Sequence, residues 1–174
     1  VIADNCPEIN ITVVDVNQHR INQWNCEDLK NLPVYEPGLA EIIKRRRNEN
    51  LFFSTEVAKE ISTSELIFVS VNTPTKSKGI GAGEASDLKW IEICAREISK
   101  YAKGNTIIVE KSTVPVRTAE VLKSILNSQN DKKSFSVLSN PEFLAEGSAI
   151  DDLQSPDRVL IGGEDTYSID AVSY

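Results

Sequence analysis

Two glutamates four residues apart, Glu142 and Glu146, stand in the segment Ser139-Asn140-Pro141-Glu142-Phe143-Leu144-Ala145-Glu146-Gly147. The segment directly follows a β-rich run, Ser134-Phe135-Ser136-Val137-Leu138. Carboxylates take and give protons, and they accept hydrogen bonds from hydroxyls. A strand whose C-terminal end opens into such a turn is where an open α/β sheet places its ligands. Two other runs end in the same style. Val69-Ser70-Val71 passes into Asn72-Thr73-Pro74-Thr75, and Ile108-Val109 passes into Glu110-Lys111-Ser112-Thr113-Val114-Pro115. In each, hydroxyls or amides adjoin a proline, which stops a β ladder. Parallel strands carry their C-terminal ends on one edge, so the three turns are expected to converge on one crevice suited to a nucleotide. Helix capping is the competing explanation. Asn140 followed by Pro141 makes a good helix start, and Glu142 and Glu146 then only favour the helix dipole. Capping accounts well for one such turn; three on one expected edge favour a site.

Asp15 stands at the end of the run Ile11-Thr12-Val13-Val14. In dinucleotide-binding folds an acid at that place bonds the adenosine ribose hydroxyls and disfavours a 2′-phosphate. A helix N-cap is the alternative. Arg20 either stacks on adenine or meets a phosphate, or it lies on a solvated helix face. Other candidates read as bystanders. Gly79-Ile80-Gly81-Ala82-Gly83 is glycine-rich, but no strand leads into it, and a phosphate cradle needs strand, tight turn and helix. It reads as a mobile loop. Cys94 falls on the apolar stripe of a helix and reads as a packed thiol. Cys6 and Cys26 have no activating base nearby in sequence. His19 reads as a surface side chain, and Arg45-Arg46-Arg47 as a solvated helix end.

These residues need a scaffold, and short β-branched runs alternate with helical patterns along the chain. Strands are predicted at residues 11–17, 51–55, 66–71, 106–109, 134–138 and 158–163. Helices are predicted at about 18–24, from 39 into the basic run at 45–47, at 56–61, at 87–102 and around 116–128. In the 87–102 helix, Leu88, Ile91, Cys94, Ala95, Ile98 and Tyr101 repeat at helical spacing behind a capping Asp87. Residues 72–86 form a long polar loop. Strictly alternating strands and helices imply right-handed crossovers and an α/β fold, a doubly wound parallel sheet.

The 174 residues suffice for one domain, and no linker or repeat divides them. The net charge of −7 argues against nucleic acid and anionic membrane as main partners. No apolar run approaches the ~18 residues of a membrane span. Three cysteines without metal-like spacing read as reduced thiols of a cytoplasmic protein, and the single histidine offers no zinc cluster, so no metal is expected. The chain has no methionine and begins Val1-Ile2-Ala3 without a helix cap, which reads as an internal fragment.

Taken in order, Val13-Val14-Asp15-Val16-Asn17, Tyr35-Glu36-Pro37-Gly38-Leu39, residues 69–75 (VSVNTPT), residues 110–116 (EKSTVPV), Asn140 through Gly147 and residues 156–163 (PDRVLIGG) resemble the UDP-glucose 6-dehydrogenases of the UDP-glucose/GDP-mannose dehydrogenase family. The resemblance covers essentially the whole chain. It implies a Rossmann-type NAD-binding domain, residues 1–174, of an enzyme that oxidises UDP-glucose to UDP-glucuronate with two NAD through a cysteine thioester. It also implies the roles. Asp15 and Arg20 bind the adenosine side of NAD. Val71, Asn72, Thr73, Pro74, Thr75, Ser112, Thr113 and Val114 line the cofactor, and Thr113 also positions the catalytic water. Glu142 is the general acid/base. Glu142, Phe143, Leu144, Ala145 and Glu146 touch the sugar nucleotide, and Glu146 also reaches the nicotinamide end. The parent is implied to be a dimer or hexamer.

The family's first strand and G-x-G-x-x-G loop do not occur in this sequence, and Val1-Ile2-Ala3 reads as the tail of the helix after them. The central helix and the downstream UDP-binding domain with its lysine, asparagine and cysteine nucleophile do not occur either. The domain is therefore expected to be incomplete at both ends, inactive and weak in NAD binding on its own, with an apolar gap in its sheet prone to aggregation. A non-catalytic nucleotide-binding module, or a dehydrogenase of another nucleotide sugar, are the alternatives.

Overall fold

A computed structural model describes residues 1–115, 117–128 and 133–173, which form two compact units: Val1–Glu60 with Phe143–Arg158, and Ile61–Glu142 with Val159–Tyr174.

In the first unit, β1 (Ile11–Val14) and β2 (Leu51–Ser54) pair in parallel, Ile11 opposite Leu51 and Val14 opposite Ser54. Helix α1 (Ile2–Asn5) precedes β1, and α2 (Gln18–Asn25) follows it. A single 3-10 turn (Leu29–Asn31) and α3 (Leu39–Arg46) lead into β2. The apolar faces meet around Ala3, Ile43 and Leu51, with Trp24 stacked on Phe53 at 5.0 Å between ring centres. Buried Asn50 fastens the entry to β1, because its amide N–H2 donates to the carbonyls of Ala3, Cys6 and Ile9. The arginine run is not a solvated helix end. Arg45 and Arg46 both clamp Asp4 of α1, at 2.7 and 2.9 Å, and hold its carboxyl down at about 2. Arg47 donates to the carbonyls of Trp24 and Cys26. Long stems on one helix end thus reach two neighbouring segments, α1 and the end of α2, which a view of the helix alone does not reveal. Helix α4 (Val57–Thr63) crosses the division between the units.

In the second unit, β3 (Leu66–Val69), β4 (Thr106–Glu110) and β5 (Phe135–Ser139) form a parallel sheet in that order. Helices α5 (Lys89–Tyr101) and α6 (Thr118–Asn127) supply the crossovers. On α5 the buried Ile91, Ala95 and Ile98 recur every three or four residues, and on α6 Leu122 and Leu126 do the same. Ile98 and Leu126 close over Val69, Ile108 and Phe135, while Ile91, Ala95 and Leu122 form an adjoining cluster, with Val71 and Val137 packed against both. Ser99 and Leu126 tie the two helices through a buried hydroxyl-to-carbonyl bond of 2.9 Å. Cys94 packs against this core as a partly buried thiol, and burial pushes its pKa up.

Among the described residues the strands form two parallel sheets, one in each unit, in the α/β architecture expected. Two expectations change. Residues 158–163 are not a strand; one antiparallel bridge joins Gly162 to Ser139, with both N–H···O bonds at 2.8 Å. Gly163 packs directly against the Leu138 side chain, where a Cβ would meet Leu138 Cδ2 at 2.3 Å. Finally, β3 stops at Val69, two residues short of prediction. Beyond the second sheet, α7 (Ala149–Gln154) belongs to the first unit and α8 (Thr166–Ser173) to the second. Val116, the predicted start of α6, lies outside the described residues.

Candidate functional site

The three strand ends singled out by their prolines all belong to the second unit and lie side by side. Val69, Glu110 and Ser139 are aligned partners across β3, β4 and β5. The turns beyond them are laced together. Lys111 N–H donates to Val69 O at 2.9 Å and Asn140 N–H to Glu110 O at 2.8 Å. The buried Ser112 hydroxyl donates to Val71 O at 2.9 Å, and the Thr73 hydroxyl to Thr113 O at 2.9 Å. Buried Asn140 sends its side-chain N–H to Leu160 O at 2.8 Å. Thr73, Ser112 and Asn140 are therefore struts between neighbours. Val71 and Val114 pack inward on the core, while Asn72, Pro74, Thr75 and Thr113 stay exposed. The result is an edge with apolar roots and a polar, solvent-facing rim.

Glu110, in the middle of that edge, escaped the sequence reading. It is fully buried, and neither carboxylate oxygen has a hydrogen-bond partner. Desolvation pushes its carboxyl up to about 7, against the opposing pull of nearby Ser112 and Lys111, which come close without hydrogen-bond geometry. The available signal was a glutamate ending an otherwise apolar strand of a sheet covered by helices. Lys111, next along, is half-buried. Burial lowers its ammonium pKa, while the carboxylates of Glu142 and Glu110 pull it back up. Glu142 thus shares a field with a cation and is itself half-buried at the rim.

No helix begins at Pro141; the next one, α7, starts at Ala149. Capping therefore does not explain Asn140 and Glu142. The chain enters the first unit at Phe143, and there Glu146 and Gly147 line a cleft with Val34, Tyr35 and Glu36. Arg158 lies over the Phe143 ring at 5.7 Å.

Asp15 and Arg20 also belong to the first unit. Asn17, not Asp15, caps α2, accepting the Arg20 N–H at 3.2 Å. Asp15 accepts the Asn17 N–H at 2.8 Å and a guanidinium N–H of Arg20 at 3.1 Å. The capping alternative for Asp15 is thereby removed, and Arg20 is paired with the carboxylate. The loop with Gly79, Gly81 and Gly83 closes on itself through the Thr75–Ser86 bridge, and α5 starts only at Lys89. It lacks the strand-turn-helix geometry of a phosphate cradle.

Comparison with known proteins agrees with this arrangement. Residues 1–174 match the NAD-binding domain of the UDP-glucose/GDP-mannose dehydrogenase family. The chain is 56% identical over 166 residues to UDP-glucose 6-dehydrogenase 1 of Arabidopsis thaliana, covering 95% of this chain and 34% of that protein. It is 56% identical over 167 residues to the UDP-glucose 6-dehydrogenase of Mus musculus, covering 95% and 33%. The chain thus spans about a third of the length of these relatives. The GDP-mannose dehydrogenase ternary complex from Pseudomonas aeruginosa superposes with a TM-score of 0.83 at 30% identity, over 96% of this chain and 38% of that one. The UDP-glucose dehydrogenase of the hyperthermophilic archaeon Pyrobaculum islandicum gives 0.81 at 30% identity, over 94% and 37%. No helix among the described residues is long and apolar enough to cross a membrane. With its parallel α/β units and its match along the full chain, this protein belongs to the UDP-glucose/GDP-mannose dehydrogenase family, as its NAD-binding domain.

Proposed function

We propose that this chain is the NAD-binding part of a UDP-glucose 6-dehydrogenase, which oxidises the sugar C6 alcohol to a carboxylate. Two NAD are reduced and one water is consumed. The observation that carries the reading is 56% identity to plant and mouse enzymes of that name across 95% of the chain. The 30% match to a GDP-mannose dehydrogenase favours that substrate less. The donor set fits the cofactor. Asp15 stands at a strand end with a carboxylate not used as a helix cap, as ribose hydroxyls require. Bound NAD supplies the hydride acceptor.

The chain's residues do the rest. Val71 through Thr75 and Ser112 through Val114 form one wall, rigid because each turn is bonded to the next. Thr113 presents a hydroxyl at the exposed rim, suited to orient water. Glu142 takes a proton from the sugar hydroxyl and from the hydrolytic water. Phe143, Leu144, Ala145 and Glu146 lie along the sugar nucleotide, Glu146 also toward the nicotinamide. A thioester needs an accessible thiolate; Cys6, Cys26 and Cys94 are each partly buried and burial pushes the Cys94 thiol up, so none of the three is assigned that role. The free thiols suit a cytoplasmic location, and the family likeness supports a homo-oligomeric parent.

The test is NADH formation by the full-length enzyme on a panel of nucleotide sugars. UDP-glucose is expected to be the preferred substrate; preference for GDP-mannose, or no NADH with any sugar, would sink the reading. Asp15→Ala is expected to raise the KM for NAD about tenfold, the worth of a hydrogen bond to a charged group, while leaving the KM for UDP-glucose in place. An unchanged KM for NAD removes Asp15 from the cofactor site.

A further inference from the structure

The turn that carries Glu146 is held by a carboxylate 111 residues away in sequence. The Gly147 N–H donates to both oxygens of Glu36, at 3.1 and 3.0 Å. Glu36 is half-buried, and no cation pairs with it among the described residues. It is itself fixed: its carbonyl accepts the Leu39 N–H at 3.1 Å, closing the Glu36-Pro37-Gly38 turn ahead of α3. It does not cap that helix, whose N-cap is Gly38. Gly147 has a φ of +88°, a conformation costly for any residue with a Cβ, and here its N–H meets the carboxylate. On the other side of Glu146, the Ala145 N–H donates to Asp152 of α7 at 3.0 Å. The backbone N–H groups of the residues on either side of Glu146 thus both donate to carboxylates, and hydrogen bonds to charged acceptors are short and geometrically demanding.

We propose that Glu36 is a positioning residue for the dehydrogenase reaction: its carboxylate fixes the 145–147 turn so that Glu146 meets the sugar nucleotide and the nicotinamide end of the cofactor. The inference rests on the functional reading above. Glu36 touches neither substrate nor cofactor in this role and acts only through the turn.

The test uses the full-length enzyme and its Glu36→Gln and Glu36→Ala variants, with NAD and UDP-glucose as substrates. Amide exchange at residues 145–147 is followed in parallel. Glu36→Ala is expected to lower kcat/KM for UDP-glucose ten- to a hundredfold, on the order of the loss caused by small misplacements of a binding group. Glu36→Gln keeps the size and one acceptor oxygen and is expected to fall between Ala and wild type. Both should unfold within about 3 °C of wild type, since only one partly exposed hydrogen bond is removed. Faster exchange at residues 145–147 should follow the same order. Wild-type kcat/KM in Glu36→Ala, or unchanged exchange at the turn, overturns the proposal. A loss that vanishes when rates are scaled to the folded fraction overturns it too. An inactive wild type with exchange still accelerated in Glu36→Ala strikes the dehydrogenase reading instead, and the clamp stands.

Discussion

Glu142→Gln in the full-length enzyme is expected to lower turnover with UDP-glucose roughly 10²- to 10⁴-fold, the usual worth of a positioned general acid/base. The substitution keeps shape and hydrogen bonding but removes the transferable proton. Glu142 is suited to the work because it sits one peptide beyond the Asn140–Pro141 strand end. There Asn140 is anchored twice, its N–H to Glu110 O and its side chain to Leu160 O. The backbone under Glu142 is therefore fixed without a helix. Lys111 is close by: burial lowers its ammonium pKa and the Glu142 carboxylate pulls it back up. The KM for NAD should change little, because Asp15 and the Thr73 and Ser112 turns remain. A Glu142→Gln enzyme within threefold of wild-type turnover would remove Glu142 from proton transfer.

Glu110→Gln should flatten the pH dependence of stability. The Glu110 carboxyl is held at about 7, above the ordinary 4.5, because it is buried without a partner. The folded state binds this proton more tightly than the unfolded chain does. Stability from this group is therefore present at low pH and is lost as pH rises from about 4.5 through 7. A shift of that size corresponds to about 3 kcal/mol. Asp4 acts in the opposite sense and in another window. Its carboxyl is held at about 2 by Arg45 and Arg46, so its contribution is lost only as pH falls below 4. Between pH 5 and 8 the Val1 ammonium, lowered by burial, acts in the opposite sense to Glu110, whose large shift sets the expected trend. Urea unfolding of the chain should show wild type weakening over that range. Glu110→Gln, which cannot ionise, should stay level and exceed wild type at pH 8. A wild-type stability that rises from pH 5 to 8 contradicts the assignment.

The parts of this fold that follow from periodicity were legible in the sequence. The α5 stripe of Ile91, Ala95 and Ile98 and the β-branched runs of β1 through β5 formed at or near the expected positions, because burying an apolar face is a local demand repeated at fixed spacing. The strand-end turns were legible for a different reason. A proline next to small polar residues stops a ladder and leaves donors to be satisfied, and the sheet order brings the three ends together. What escaped depended on partners distant in sequence. The Asp4 clamp by Arg45 and Arg46, the Glu36 grip on Gly147 and the isolation of Glu110 involve neighbours that no spacing rule connects. Residues 158–163 misled because Val159, Leu160 and Ile161 carry strand propensity, whereas the segment meets β5 only in the Gly162–Ser139 bridge. The capping explanation for Asn140 was sound chemistry applied to a helix that does not form there.

The measurement that bears most directly on the whole account is the stoichiometry of the full-length enzyme: NADH formed per UDP-glucose consumed, with the sugar product identified. Two NADH for each UDP-glucose, with UDP-glucuronate as the product, is the predicted result. One NADH with an accumulating aldehyde, or UDP-glucose left unchanged in the presence of NAD, would contradict it.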